Sequence, residues 1–138
     1  MKKFVIIPFF LLLVSCATHY KPRGMWGNGY SHYRVDTEHF VVTFRGNRYT
    51  NEEEVKRFAL LRASELTLNH GFKYFVVVQE KDLSKAATEK THGEYWDRVE
   101  EVKYPAIELT IICLLDKKED QKAIDATSFI SYNRNSRN

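Results

Sequence analysis

Residues 50–70 read TNEEEVKRFALLRASELTLNH, and this stretch limits the possible folds more than any other part of the chain. Thr50 and Glu53 have the spacing of a capping box. Three successive acids suit the positive end of a helix. Val55, Phe58, Ala59, Ala63 and Leu66 share one arc at helical spacing, and Gly71 follows as a stop. The spacing predicts a helix over 51–70 with a single apolar face, which must be buried against a second layer. The flanks supply that layer. In residues 39–45, Phe40, Val42 and Phe44 alternate with more polar neighbours, as in a half-buried strand. Residues 74–78, YFVVV, have the composition of a strand buried on both faces. Residues 105–114 alternate again, through Ile107, Leu109, Ile111 and Cys113. The expected class is therefore α+β: one domain over 31–132, with a three-stranded or larger sheet covered by one long helix. The element order is β-α-β-β plus a short C-terminal helix, expected over 119–132 on a stripe of Ala123, Ile124, Thr127 and Ile130. Strand, helix, strand suggests a β-α-β unit, but antiparallel pairing is equally open at this point. The densely charged residues 81–103 lack a clear period and read as a solvated loop. Residues 133–138, NRNSRN, read as a disordered tail.

The N-terminus has a different logic. Lys2 and Lys3 precede an apolar run over 4–14, then Ser15 and Cys16. This is the charged, apolar, small-residue order of a secretory signal. A run of eleven residues that includes Pro8 falls short of the roughly 20 apolar residues that span a bilayer. Leu13-Val14-Ser15-Cys16 resembles the lipobox of bacterial lipoproteins. The resemblance implies that the Cys16 sulfur takes a diacylglyceryl group, that cleavage falls between Ser15 and Cys16, and that the new amino group is acylated, commonly with palmitate. A thiolate is the natural nucleophile for that thioether. Two or three acyl chains, at about 0.8 kcal/mol per buried methylene, anchor stably where one does not. Ala17 stands where an aspartate commonly retains lipoproteins in the inner membrane, so the expected location is the outer membrane, facing the periplasm. Residues 16–30, with one proline and three glycines, read as a flexible tether.

Removing residues 1–15 leaves 123 residues, enough for one domain and its core but not two. The formal charge of +3 falls to +1 once Lys2 and Lys3 leave, which removes the electrostatic support for a nucleic-acid role. Lipidation of Cys16 leaves Cys113 alone, so no internal disulfide is expected and stability must come from packing.

Four motifs carry a further likeness: Gly29-Tyr30-Ser31, Val42-x-Phe44-x-Gly46-Asn47-x-x-Thr50, Leu60-x-Arg62-Ala63-Ser64-Glu65-Leu66-Thr67 and Gly71-Phe72-x-Tyr74-Phe75. Together they resemble a family of short bacterial outer-membrane lipoproteins to which no reaction is assigned. The likeness covers about residues 29–79, with Ser64 where a second alanine is expected, and implies an envelope location and this domain shape.

Chemistry-bearing patterns are sparse. His19, His32, His39, His70 and His92 have no metal-ligand spacing, and neither a nucleophile elbow nor a phosphate-binding glycine loop is present. Cys113 falls on the apolar side of a strand, where a thiol is normally inert. The expectation is thus a non-enzymatic binding or assembly domain, without cofactor or metal, whose partners are the membrane through Cys16 and an envelope protein. Arg62 lies inside the apolar arc and needs a partner, which Glu65 is placed to supply. The pair is expected to be partly buried and structural, ordering the helix against Gly46-Asn47. The alternative is a periplasmic small-molecule binder or enzyme with a polar site at Arg62 and Glu65. Leu61 and Leu68 form a second stripe away from the main arc, expected to be covered within the chain rather than by a partner.

Overall fold

The computed structural model describes residues 18–25, 27–117 and 122–135. Its elements are β1 (Gly29–Arg34), β2 (His39–Arg45), α1 (Glu52–Asn69), β3 (Tyr74–Asp82), β4 (Lys85–His92), β5 (Asp97–Tyr104), β6 (Ala106–Leu114), β7 (Ile124–Asp125) and α2 (Ala126–Asn135). Five strands form one sheet in the order β1-β2-β6-β3-β7, and β4 pairs with β5 in a second, two-stranded sheet. Every one of these strand pairs is antiparallel. The class is α+β, with more strands than the sequence pattern revealed.

The open question about the strand-helix-strand unit has a geometric answer. Both β2 and β3 run antiparallel to β6, so they are parallel to each other with β6 between them. Helix α1 therefore joins two parallel strands around a central one, a split β-α-β arrangement. Phe40, Val42 and Phe44 of β2, Phe75 of β3, and Ile107, Leu109, Ile111 and Cys113 of β6 face Val55, Phe58, Ala59, Ala63 and Leu66 of α1. The five residues of the expected helical arc are all buried. Ala59 and Ala63, fully buried, let the helix backbone lie close to the sheet.

Several expectations need correction. The N-cap of α1 is Asn51, whose side chain accepts from the Glu54 amide at 2.8 Å, so Thr50 does not cap it. Residues 81–103 are not a loop: β3 continues to Asp82, and β4 and β5 form a hairpin arm. Both faces of that arm are largely wet, so no apolar alternation was needed to encode it. Residues 74–78 are not buried on both faces; Phe75 is, whereas Val78 is 52% exposed. Strand β7 covers only Tyr74 and Phe75, and a register shift between Val77 and Gln79 follows, so β3 becomes an edge strand. The closing helix begins at Ala126, because Ile124 and Asp125 pair with β3 instead. It runs to Asn135 with Asn133 buried, so the start of the expected tail is helical.

The stretch expected as a flexible tether is held to the domain at Thr18, Tyr20 and the backbone of residues 21–23, while residues 21–25 are exposed. Thr18 is buried, Pro22 bridges Tyr30, and the Tyr20 ring lies 4.8 Å from that of Tyr30 and 5.7 Å from that of Phe58. Gly29 permits this close approach. Its φ is +114°, and a Cβ there would stand 2.4 Å from the Lys21 carbonyl oxygen.

Candidate functional site

Ser15 and Cys16, the expected cleavage and lipid-attachment residues, lie outside the described residues. The chain enters the structure at Thr18, whose amide donates to Thr50 Oγ1 at 2.9 Å. That hydroxyl also accepts from the Asn47 amide at 3.2 Å and donates to Asn47 Oδ1 at 3.0 Å. One donated and two accepted bonds use the full capacity of a threonine hydroxyl. Thr50 is thus engaged in holding the incoming chain against the Gly46-Asn47 turn, which is why Asn51 caps the helix. A Cβ on Gly46 would meet Thr50 Cβ at 2.8 Å, so the turn and this threonine are fitted to each other.

The second site gathers around Arg62. Glu65 Oε2 accepts from Arg62 Nη1 at 2.8 Å and also from the Tyr20 hydroxyl. The Arg62 guanidinium lies 4.5 Å over the Tyr30 ring, and its Nη2 is 3.5 Å from His32 Nδ1. The expected pair is present and partly buried, with Arg62 at 16% and Glu65 at 31% side-chain exposure. Its surroundings differ from the expectation: Arg62 orders α1 against β1 and the incoming segment, not against Gly46-Asn47. The electrostatics are coupled. Burial raises the Tyr20 hydroxyl far above the usual phenol range, helped by its bond to the Glu65 carboxylate. Burial opposes the Arg62 charge, but the bond to Glu65 and the two tyrosines outweigh it and the net shift is upward. Burial, then the Arg62 charge, pushes His32 down and favours its neutral form.

The arrangement is inward-looking. Glu65 lines a recess of about 170 Å³ between α1 and α2, with Tyr20, Leu61 and Ile130, but Arg62 does not reach it. The two leucines of the second stripe part company. Leu61 is 7% exposed at the edge of that recess, whereas Leu68 is 36% exposed.

Cys113 is buried, 3.5 Å from Thr67 Oγ1, and burial pushes its thiol up, away from the thiolate a nucleophile needs. His39 pairs with Asp36 at 2.8 Å and His92 with Asp97 at 2.9 Å, both at the surface. Among the described residues, no three His, Cys, Asp or Glu side chains converge as metal ligands.

The larger concavities lie around the root of the hairpin arm. A groove of about 360 Å³ between α1 and the β3–β6 pair carries Glu52, Glu53, Glu80 and Asp82 with Lys56. A wider one of about 510 Å³ separates the N-terminus of α1 from β5. Arg48 crosses here to the arm, binding Glu89 and, at 3.5 Å, Glu100, two like charges that face each other across β4 and β5. Like charges in that position repel, so one guanidinium between them both neutralises the pair and ties the arm to the body. The Tyr104 hydroxyl donates to the other oxygen of Glu89. Sequence reasoning missed this clamp because it missed the arm. With both faces of the arm largely wet, no apolar alternation signalled it.

No family model, curated protein or solved structure matches the chain.

Proposed function

We propose that the chain is a bacterial envelope lipoprotein, cut between Ser15 and Cys16 and anchored through a lipidated Cys16, in the outer membrane and facing the periplasm. The folded part acts as a non-enzymatic binding or assembly domain. The observation that carries this proposal is the order Lys2-Lys3, apolar residues 4–14, Ser15, Cys16. The packing of Thr18 gives the proposal a consequence. Cys16 precedes Thr18 by two residues, and extended chain spans at most about 3.6 Å per residue. A lipid on Cys16 therefore holds the domain directly at the bilayer, with the Gly46-Thr50 turn beside the headgroups, in place of a long leash. The motif likeness to short outer-membrane lipoproteins agrees with this location. Arg62 and Glu65 bond to each other, to Tyr20 and to His32, and although the buried Arg62 Nε has no hydrogen-bond partner among the described residues, these shared bonds favour a structural role for the pair over a ligand site. Metabolic labelling with a palmitate analogue tests the anchor. The parent chain takes up label, and Cys16→Ser takes up none and accumulates as precursor. Equal labelling and processing of the two chains would remove the proposal.

A further inference from the structure

A third recess near the arm has a different character. It measures about 250 Å³ and is walled by Arg23, Arg45 and Lys85, with Asn28 and Tyr104 beside them. No acidic side chain among the described residues lines it. Three cations that share a small recess without a counter-charge repel one another, a cost that a surface salt bridge would normally relieve. Arg23, Arg45 and Lys85 have no carboxylate partner among the described residues, as is also true of Arg34, Lys81, Lys90 and Arg98, but only these three line one recess together. Arg45 adds a second observation: its Nε–H is buried and has no hydrogen-bond acceptor among the described residues, a state it shares with Arg62 Nε outside the recess. A buried donor left unmade is costly, more so when charged, so an acceptor at this place would be favoured. Glu89, which takes the Tyr104 hydroxyl, is already paired with Arg48 and so does not neutralise the cluster.

We propose that this recess binds a phosphoryl group. Two planar guanidinium forks match tetrahedral oxyanions bidentately, the ammonium of Lys85 adds a third positive charge, and the Asn28 amide can donate. The three cations come from three places: Arg23 from the incoming segment, Arg45 from the end of β2 and Lys85 from the start of β4. A bound anion would therefore fasten the N-terminal segment and the arm to the sheet. Gly46, in the wall of the recess, packs on the threonine that holds Thr18. If Cys16 carries lipid, that contact puts the recess at headgroup level, and a lipid phosphoryl group becomes the natural occupant. This last step alone rests on the lipoprotein proposal.

The Arg45 Nε–Hε resonance reports on the site directly. It is followed in the full chain purified in a neutral maltoside detergent, while inorganic phosphate replaces chloride at constant ionic strength. A saturable shift is expected, with the midpoint raised about tenfold in Lys85→Gln and in Arg23→Gln, the loss of one charged contact. The same resonance is then read in nanodiscs of phosphatidylcholine alone or with phosphatidic acid. A shift with phosphate and with phosphatidic acid discs supports the site and its lipid occupant. A shift with phosphate only supports the site and overturns the lipid source. No saturable shift in either arm, or an unchanged midpoint in both variants, overturns the proposal. A chain found without lipid on Cys16 that still shows the saturable phosphate shift would fail the anchor and keep the site.

Discussion

Arg62→Ala removes the cation that joins α1, β1 and the incoming N-terminal segment. The hydrogen bond from Nη1 to Glu65, 2.8 Å long, is charge-assisted on both sides and contributes about 1.5–3 kcal/mol in such settings. The guanidinium over Tyr30, 4.5 Å from the ring centroid, adds about 0.5–2 kcal/mol, near the upper end when desolvated. Against these, Glu65 is 31% exposed and keeps the Tyr20 hydroxyl, so the carboxylate left behind is neither dry nor alone. The penalty of about 3–5 kcal/mol for breaking a fully buried pair therefore does not apply in full. Together these terms give a loss of roughly 2–4 kcal/mol in urea unfolding at neutral pH. Arg62→Lys keeps a charge but neither the fork nor the stacked plane, and should recover less than half of that loss. A double-mutant cycle with Glu65→Gln isolates the pair, with a coupling of at least about 1 kcal/mol expected. An Arg62→Ala midpoint shift worth less than about 0.5 kcal/mol would refute the network as a structural element.

Further outcomes follow from the same structure. Leu61→Ser should cost about 2–4 kcal/mol in urea unfolding, whereas Leu68→Ser, at a position 36% exposed, should cost under about 1 kcal/mol; equal losses would mean that both are core. Arg48→Ala should speed hydrogen exchange across residues 85–104 while leaving the midpoint of global unfolding nearly unchanged, because the pairs it breaks are a third to a half exposed. Unaltered exchange in the arm would show that the hairpin holds itself. Gly29→Ala combines a φ of +114° with a clash against the Lys21 carbonyl and should detach residues 18–25, read as enhanced proteolysis there; parent-like resistance would contradict the packed entry of the chain.

The parts legible in the sequence are those with one wet face and one dry face. The arc of α1 and the alternation of β2 and β6 each encode one buried side, and each such side is buried as the pattern requires, although Val41 on the opposite face of β2 is buried as well. The pairing of β2 and β3 through β6 was not legible, because β6 comes later in the chain and its insertion between them leaves no local mark. Strand β1 was hidden for another reason. Only Gly29 is buried in it, and its Tyr30, His32 and Arg34 alternate without an apolar contrast. The arm was illegible on both strands for the same physical reason. Arg62 and Glu65 were found because a charge inside an apolar arc demands a partner, but their real neighbours Tyr20, Tyr30 and His32 come from segments that sequence patterning assigned to a tether or left unassigned. The basic recess draws on three distant segments and could not have been read before the fold placed Arg23, Arg45 and Lys85 together.

The most direct test of the central claim is the intact mass of the chain extracted from membranes of expressing cells, combined with sequencing of its N-terminal peptide. A mature chain of 123 residues that begins at Cys16 and carries the added mass of a diacylglyceryl group, with or without an amide-linked acyl chain, is the predicted result. An unmodified chain that begins at any other residue, or one that retains residues 1–15 at steady state, would contradict it.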